Sequence, residues 1–360
     1  MPHKAIALLS GGLDSTLAIL VLLKQDIEVK AVRFRIPFDS DAACKGPDSY
    51  SSSAALRFRF EVEEFDLGQR FLDVVRDPKH GYGKNMNPCI DCRILMLGEA
   101  RKIMDATGAD FIVTGEVLGQ RPMSQRKDML YHIDKEAGVG NLVLRPLSAR
   151  LLRTTLPEVK GMVDREMLYD FSGRSRKPQM ALAGEFGLDD YPSPAGGCLL
   201  TEPNYASRLK DLLEYDTVPS MRDIALLRTG RHFRFSPHCK IIVGRDEYEN
   251  AVIESLSAEG DCLLNVLEHG SPVTLVKGEI TEEALRVAAS LCVRYSDAKN
   301  AIKADVRAVS REDVFIFNVA PADSETIGSL RIGKIKTGKI SEISKALPES
   351  PLISDILLLP

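Results

Sequence analysis

Two folding units are expected from this sequence: an α/β domain with a doubly wound parallel sheet over residues 1–190, and a smaller α+β domain over 191–340, followed by a helix and tail over 341–360. Three observations predict this. Short apolar strands alternate with helical stretches through the first half, the pattern of a parallel sheet covered on both faces. A Pro- and Gly-rich run, DYPSPAGG at 190–197, cannot sustain a helix or a central strand. A chain of 360 residues is also too long for one small core.

The elements follow in order. Residues 4–9 read as a buried strand, the loop SGGLDS occupies 10–15, and 16–24 continues as an apolar helix. Strands are expected at 28–36 and 56–65, with the Ser-, Asp-, Ala- and Gly-rich stretch 37–53 as a loop between them. Helical spacing marks 93–107, and 110–114 is a compact strand. In the second unit, 205–213 and 282–289 have helical patterns, whereas 240–244, 273–277 and 314–319 read as strands. Residues 340–347 suggest a last short helix.

Composition narrows the function classes. With 44% hydrophobic and 27% charged residues the chain has the make-up of an ordinary globular protein, not a disordered or collagen-like one. Lys and Arg number 47 against 51 Asp and Glu, a net charge of -4, so any nucleic-acid contact must come from local basic patches. No leader-like segment opens the sequence, and no apolar run approaches the ~20 residues that cross a bilayer, so a cytoplasmic protein without a membrane partner is expected. The seven cysteines, Cys44, Cys89, Cys92, Cys198, Cys239, Cys262 and Cys292, are odd in number and widely spread, unlike a secreted disulfide framework. The sequence sets no oligomeric state.

The loop after the first strand is the sharpest local signal. Gly11 and Gly12 allow tight turning and close anion approach, Ser10 and Ser15 offer hydroxyls, and the helix start at Asp14 offers unpaired N–H groups. The spacing is neither that of a nucleoside-triphosphate P-loop nor that of a dinucleotide fold. SGGLDS resembles the SGGxDS fingerprint of the PP-loop ATP pyrophosphatases, whose fold is the adenine nucleotide alpha-hydrolase-like α/β sheet. The resemblance implies that Ser10, Gly11, Gly12, Asp14 and Ser15 hold the pyrophosphate of ATP, that a substrate oxygen is adenylated with release of pyrophosphate, and that Mg2+ takes part, with Asp14 either holding the cation or orienting the phosphates.

NPCIDC places Cys89 and Cys92 as a C-x2-C pair just before a helix, whose N–H groups are expected to lower their thiol pKa. Spacing alone leaves a redox pair, half of a zinc site, a cluster site and two buried cysteines equally open. Together with Cys198 in GGCLL, the motifs resemble the tRNA-thiolation, 2-thiouridylase-like branch of the PP-loop proteins. That branch implies either three cysteines holding a [4Fe-4S] cluster with one open iron, here Cys89, Cys92 and Cys198, or a cluster-free route with a catalytic cysteine and a persulfide carrier. The cluster route is the main expectation. Cys44 reads as an incidental loop thiol, and Cys239, Cys262 and Cys292 as core residues.

The segment TGEVLGQRPMSQ, 114–125, begins at a strand's carboxyl end, where open α/β sheets present ligands. It resembles the TGE or TGH segment of thiolation enzymes, so Gly115 and Gln120 are expected to line the nucleotide and Glu116 to position base or ligand. Arg121, Arg126 and Lys127, then Arg145, Arg150 and Arg153, and Arg174, Arg176 and Lys177 are candidate phosphate contacts for tRNA. Farther on, GRHFR and IIVGRDEYEN resemble an RNA-associated domain of ribosome-quality-control and fibronectin-binding-like proteins. Arg231 and Arg234, with Arg228, Lys240, Phe233 and Phe235, then either contact RNA or form a half-buried strand with a basic face. The expected activity is ATP-dependent tRNA thiolation, with ATP, Mg2+ and a [4Fe-4S] cluster as cofactors, and with tRNA and a sulfide or persulfide donor as partners. A PP-loop enzyme adenylating a small molecule or carrier protein, and a noncatalytic RNA- or ribosome-associated protein, are the alternatives.

Overall fold

The computed structural model describes residues 2–38, 50–189, 191, 198–311 and 313–333. The first sheet is built from β1 (Lys4–Leu8), β2 (Glu28–Arg35), β3 (Glu61–Asp66), β4 (Phe111–Thr114) and β5 (Val143–Leu144), in the order β3-β2-β1-β4-β5. Every neighbouring pair is parallel, with Leu8 beside Val32 on one side and Thr114 on the other. The central strand β1 is buried from Ala5 to Leu8 because helices cover both faces.

On one face α1 (Leu13–Leu23) packs against Ala5, Ala7, Val29, Ala31 and Val113. It is itself overlaid by α2 (Tyr50–Phe58) and α7 (Lys177–Glu185). This double coverage explains why its sequence is apolar all round rather than along one stripe. The other face, lined by Ile6, Leu8, Val32, Phe34 and Ile112, receives α3 (Gly68–Arg76) and α4 (Cys89–Thr107), with α5 (Lys127–Glu136) toward the β5 edge; the short α6 (Leu156–Val159) lies against the Gly140–Leu142 turn. Tyr205, Leu209 and Leu212 of α8 (Pro203–Tyr215) and Ile224 of α9 (Met221–Leu226) are buried in this same cluster. The polypeptide beyond 198 thus first completes the parallel-sheet core and then builds the second sheet from residue 231.

That second sheet has six strands in the order β11-β10-β8-β9-β7-β6: β6 (Arg231–Ser236), β7 (Cys239–Val243), β8 (Cys262–Val266), β9 (Thr274–Gly278), β10 (Ala304–Ser310) and β11 (Asp313–Val319). Its pairs are antiparallel. The small side chains Ala284, Ala288 and Ala289 let α11 (Glu282–Arg294) lie close on one face, over Phe233, Ile241, Val276, Leu264 and Val306. Between β7 and β8, α10 (Glu247–Ser255) buries Ile253 with Leu226, Ile242 and Leu275 in a separate small cluster. The last described helix is α12 (Ser324–Leu330). Among the described residues no helix is long and apolar enough to cross a membrane.

Two local expectations are corrected. Residues 56–65 are not one strand: α2 runs to Phe58, Arg59 turns the chain at φ 56°, and β3 begins at Glu61. Leu56, Phe58 and Phe60 alternating with Arg57 and Arg59 mimic the period of a strand. The helix expected from 93 starts at Cys89, with Pro88 as its N-cap, so the cysteine pair lies in the first turn rather than ahead of it. Cys44, the 190–197 junction apart from Tyr191, and the helix and tail beyond 340 fall outside the described residues.

Candidate functional site

SGGLDS folds as the turn from β1 into α1, at the carboxyl ends of the central strands. Gly11 adopts φ +80°, which a side chain would strain. The Ser15 hydroxyl fastens the loop: it donates to Gly12 O at 2.9 Å, accepts from Ser10 N at 3.2 Å and shares a hydrogen bond with Ser10 Oγ at 3.1 Å. Gly12 is the N-cap of α1 and offers no side chain to it, leaving the first N–H groups directed at the mouth of the site. Arg33, at the end of β2, brings its guanidinium within 3.1 Å of where a Gly11 Cβ would stand, and pairs with Glu64 at 3.4 Å. The sequence reading passed over Arg33, because inside a strand pattern a single arginine carries no motif.

Gly115 brings β4 against this loop so closely that a Cβ would meet Ser15 N and Cα at 2.5 Å. Five residues on, Gln120 Nε2 donates to Asp14 Oδ2 at 2.9 Å, while Asp14 Oδ1 is buried without a partner. A carboxylate oxygen held this way fits a cation or its bound water. Glu116 points inward, 3% exposed, and accepts from Arg145 Nε at 3.0 Å and Thr114 Oγ1 at 3.2 Å, with Arg93 Nε 3.5 Å away. Arg145 also binds Asp134 through both oxygens, at 2.7 and 2.9 Å. Burial alone would raise the Glu116 pKa, but the two guanidiniums outweigh it and hold the carboxyl below its ordinary value. Glu116 is therefore a buried brace, and Arg145, expected among the basic clusters, is committed inside the fold. A cavity of about 620 Å³ lies against Asp134 and Arg145 near the β5 edge, but no SGGLDS or cysteine residue lines it.

The segments that carry the thiols are tied to each other by hydrogen bonds. Met86 N donates to Leu200 O at 3.1 Å and Asn85 Nδ2 to Thr201 O at 2.7 Å, tying the segment before Cys89 to the one after Cys198. Cys89 Sγ donates to Asn87 Oδ1 at 2.9 Å, and Cys198 Sγ to Phe38 O at 3.7 Å. Cys92 lies near enough to both other sulfurs for their charges to oppose its ionisation. The expected lowering of the thiol pKa values by the helix start is overturned. Burial pushes Cys89 up against the pull of Arg121 and Arg93, and pushes Cys92 up to about 12 despite Arg93. Arg121 thus reaches electrostatically to the cysteine pair, while its neighbour Gln120 holds Asp14 of the phosphate loop. The raised pKa predicts a measurable chemistry: alkylation of Cys92 in the folded protein should still be climbing about tenfold per pH unit around pH 9, where an ordinary thiol levels off. Peptide mass mapping after timed iodoacetamide treatment reads this, and a plateau by pH 9 would mean the thiol is not desolvated.

The three cysteines are free, and none is in a disulfide. They do not fit a cluster as arranged: among the described residues no group of three His, Cys, Asp or Glu side chains could hold a metal ion, and the Cys89 and Cys198 thiols are spent on carbonyl acceptors. Cys239, Cys262 and Cys292 are core residues, as the sequence predicts.

The basic candidates divide. Arg121, Arg174 and Lys177 are exposed, whereas Arg126 pairs with Asp128 and Lys127 donates to Leu151 O at 2.9 Å. Arg176 is half-buried, with an unpartnered Nε. In the second unit Arg234 makes a bidentate bond to Asp211, which Lys240 shares at 3.0 Å, and Arg231 lies over the Tyr295 ring, 4.4 Å from its centroid. Phe233 is fully buried, so it serves the core and not base stacking.

Fold and site define a PP-loop-type, ThiI-like domain joined to a separate domain that resembles an RNA-binding module. Residues 1–150 match the family model described as thiamine biosynthesis protein (ThiI), and 230–331 match the NFACT protein RNA binding domain. The chain is similar to a probable tRNA sulfurtransferase of Thermoanaerobacter sp. (33% identity, over 40% of this chain and 36% of that one). It is also similar to a tRNA-specific 2-thiouridylase MnmA of Sulfurimonas denitrificans (23% identity, 64% and 65%). A solved structure, the U34-tRNA thiolase NcsA from Methanococcus maripaludis with its [4Fe-4S] cluster, aligns at 17% identity with a TM-score of 0.33, over 63% of this chain and 70% of that one. The chain spans about a third to just under two thirds of the length of these curated relatives.

Proposed function

We propose that this protein is an ATP-dependent sulfurtransferase acting on tRNA, in which sulfur is carried on cysteine without an iron–sulfur cluster. One observation carries the reading: the 115–121 segment touches the phosphate loop at Ser15 and Asp14 and reaches the Cys89/Cys92 pair through Arg121. Anhydride cleavage and sulfur attack therefore have a common floor. The backbone of Ser10, Gly11 and Gly12 and the open start of α1 bind the phosphates of ATP, with Ser15 fixing the loop. Asp14 would hold Mg2+, which would supply charge neutralisation on the leaving pyrophosphate. Gly115 and Gln120 border the nucleotide. A base carbonyl oxygen takes the adenylyl group; the outer sulfur of a persulfide on Cys92 attacks the activated carbon and AMP leaves. The Cys198 thiolate then attacks the Cys92 sulfur, breaking the S–S bond to free the thiolated base and leaving a Cys92–Cys198 disulfide that an external thiol reductant returns to two thiols.

Cys92 and Cys198 serve as the sulfur-bearing and catalytic thiols, with Cys89 beside them. Cys92 must lose its proton in the reaction, and Arg93 and Arg121 are the cations that favour its thiolate. Arg121, Arg126, Lys127, Arg174, Arg176 and Lys177 take tRNA phosphates. Arg231 and Arg234 of the second unit contribute through the groups left free by Tyr295 and Asp211.

The test is ATP-dependent transfer of radiolabelled sulfur from a persulfide donor to unmodified tRNA, with AMP and pyrophosphate measured alongside. Incorporation by iron-free protein is expected, and Cys92→Ser and Cys198→Ser should each bring it to background while nucleotide binding persists. A strict requirement for reconstituted iron would overturn the cluster-free form. AMP formation with a small acceptor and none with any tRNA would transfer the reading to a small-molecule ligase.

A further inference from the structure

Four arginines from separate segments meet where α8 passes the start of β6. Arg231 opens β6 and donates Nη1 to Gly244 O at 2.9 Å, which brings it beside Arg245, the next residue of the β7–α10 loop. Arg331 forms an antiparallel bridge with Phe233 on the outer side of β6, and Ile332 N donates to His232 O at 2.9 Å. One residue on, a Cβ at Gly333 would stand 3.4 Å from Asn204 Oδ1 in α8. Arg208 follows one turn along that helix and donates Nη1 to Leu227 O at 2.8 Å.

Counter-charge is short at this seam. Glu249 is committed to Arg245 Nε at 2.8 Å and to Gly230 N at 3.2 Å, and the exposed Glu202 caps α8 by accepting from Tyr205 N at 2.6 Å. Among the described residues the Arg331 guanidinium has no hydrogen bond or ion pair, and Arg208 Nε is buried without a partner. The sequence just beyond adds Lys334, Lys336 and Lys339, and the first carboxylate after Arg331 is Glu342. Burial, then the charges of Arg245 and Arg331, pull Arg208 down to about 10, and burial with the same two neighbours lowers Arg231. Guanidiniums crowded together and withdrawn from water weaken a fold unless an anion joins them.

We infer that Arg208, Arg231, Arg245 and Arg331 form a binding site for a phosphate group at the seam between α8 and the second sheet. A phosphate offers oxygens on several sides, so forks from α8, β6 and the 331 segment bind it together, whereas a carboxylate presents two oxygens on one side. The group comes from an RNA backbone or from free phosphate. The first source rests on the tRNA reading; the second is independent of it.

Phenylglyoxal footprinting of the full chain, read by peptide mass mapping at constant ionic strength, tests this locally. Saturating inorganic phosphate in exchange for chloride should slow modification of Arg231 and Arg331 at least about fivefold. Arg286, paired with Glu282 at 2.7 Å on α11, should keep its rate. Unmodified tRNA is the second arm: protection at concentrations where inorganic phosphate gives none assigns the group to RNA, and protection by inorganic phosphate alone assigns it to the free ion. Arg331→Met keeps the side chain's bulk without its charge. It should abolish the protection of Arg231 and, in phosphate-free buffer, melt no lower than wild type, because a repulsion is relieved. Three results overturn the inference: protection in neither arm, protection of Arg231 that survives in Arg331→Met, or a lower melting temperature for that variant, which would reveal an internal counter-ion.

Discussion

Replacing Arg145 with methionine should lower the unfolding free energy by about 3–5 kcal/mol, as read from urea denaturation. The guanidinium is 3% exposed and bonds Glu116 on one side and Asp134 on the other. Removing it leaves two buried carboxylates, with Arg93 at 3.5 Å from Glu116 as the remaining cation. The loss is the cost of stranding those charges, not the worth of the bridges. Removing all three charges together, in Glu116→Leu/Asp134→Leu/Arg145→Met, should therefore recover a good part of it. A loss under about 1 kcal/mol from Arg145→Met alone would mean that water reaches the network.

A single methyl group should have the next largest effect. Gly115→Ala introduces a Cβ 2.5 Å from Ser15 N and Cα and 2.6 Å from the Asp14 carbonyl carbon, all backbone atoms at the root of α1. They cannot rotate away, so the strand end and the phosphate loop must separate. Overpacking of this kind costs about 1–3 kcal/mol. On the proposed function the displaced atoms receive phosphate, so affinity for a nonhydrolysable ATP analogue should fall at least about tenfold in calorimetry, the equivalent of ~1.4 kcal/mol. Gly184→Ala is the control: it lies in α7 with nothing within 4 Å of its added carbon, and should stabilise by about 0.4–1 kcal/mol with nucleotide affinity intact. Equal affinity in both variants would remove Gly115 from the site.

The parallel sheet and the phosphate loop were legible because their signals are local: an apolar strand, two glycines and an apolar helix follow one another directly in SGGLDS and its flanks. Glu116 and Arg145 were visible as charges but not as a pair, since their meeting depends on β4 and β5 lying side by side. The thiol pKa values illustrate a different limit. A helix start lowers a pKa and burial raises it; sequence displays the first, and only packing of residues far apart in the chain reveals the second. Likewise GRHFR read equally as RNA contact or strand until Phe233 was found beneath α11 and Arg234 against Asp211.

The placement of α8 and α9 bears on how the molecule can be cut. A fragment ending at 190 would strip Tyr205, Leu209, Leu212 and Ile224 from the face they share with Phe38, Phe71 and Leu97, baring an oily surface and removing Cys198 with it. One ending just after Leu227 would keep that surface sealed and all three thiols in place. Limited digestion should accordingly release a resistant N-terminal piece that extends past α9.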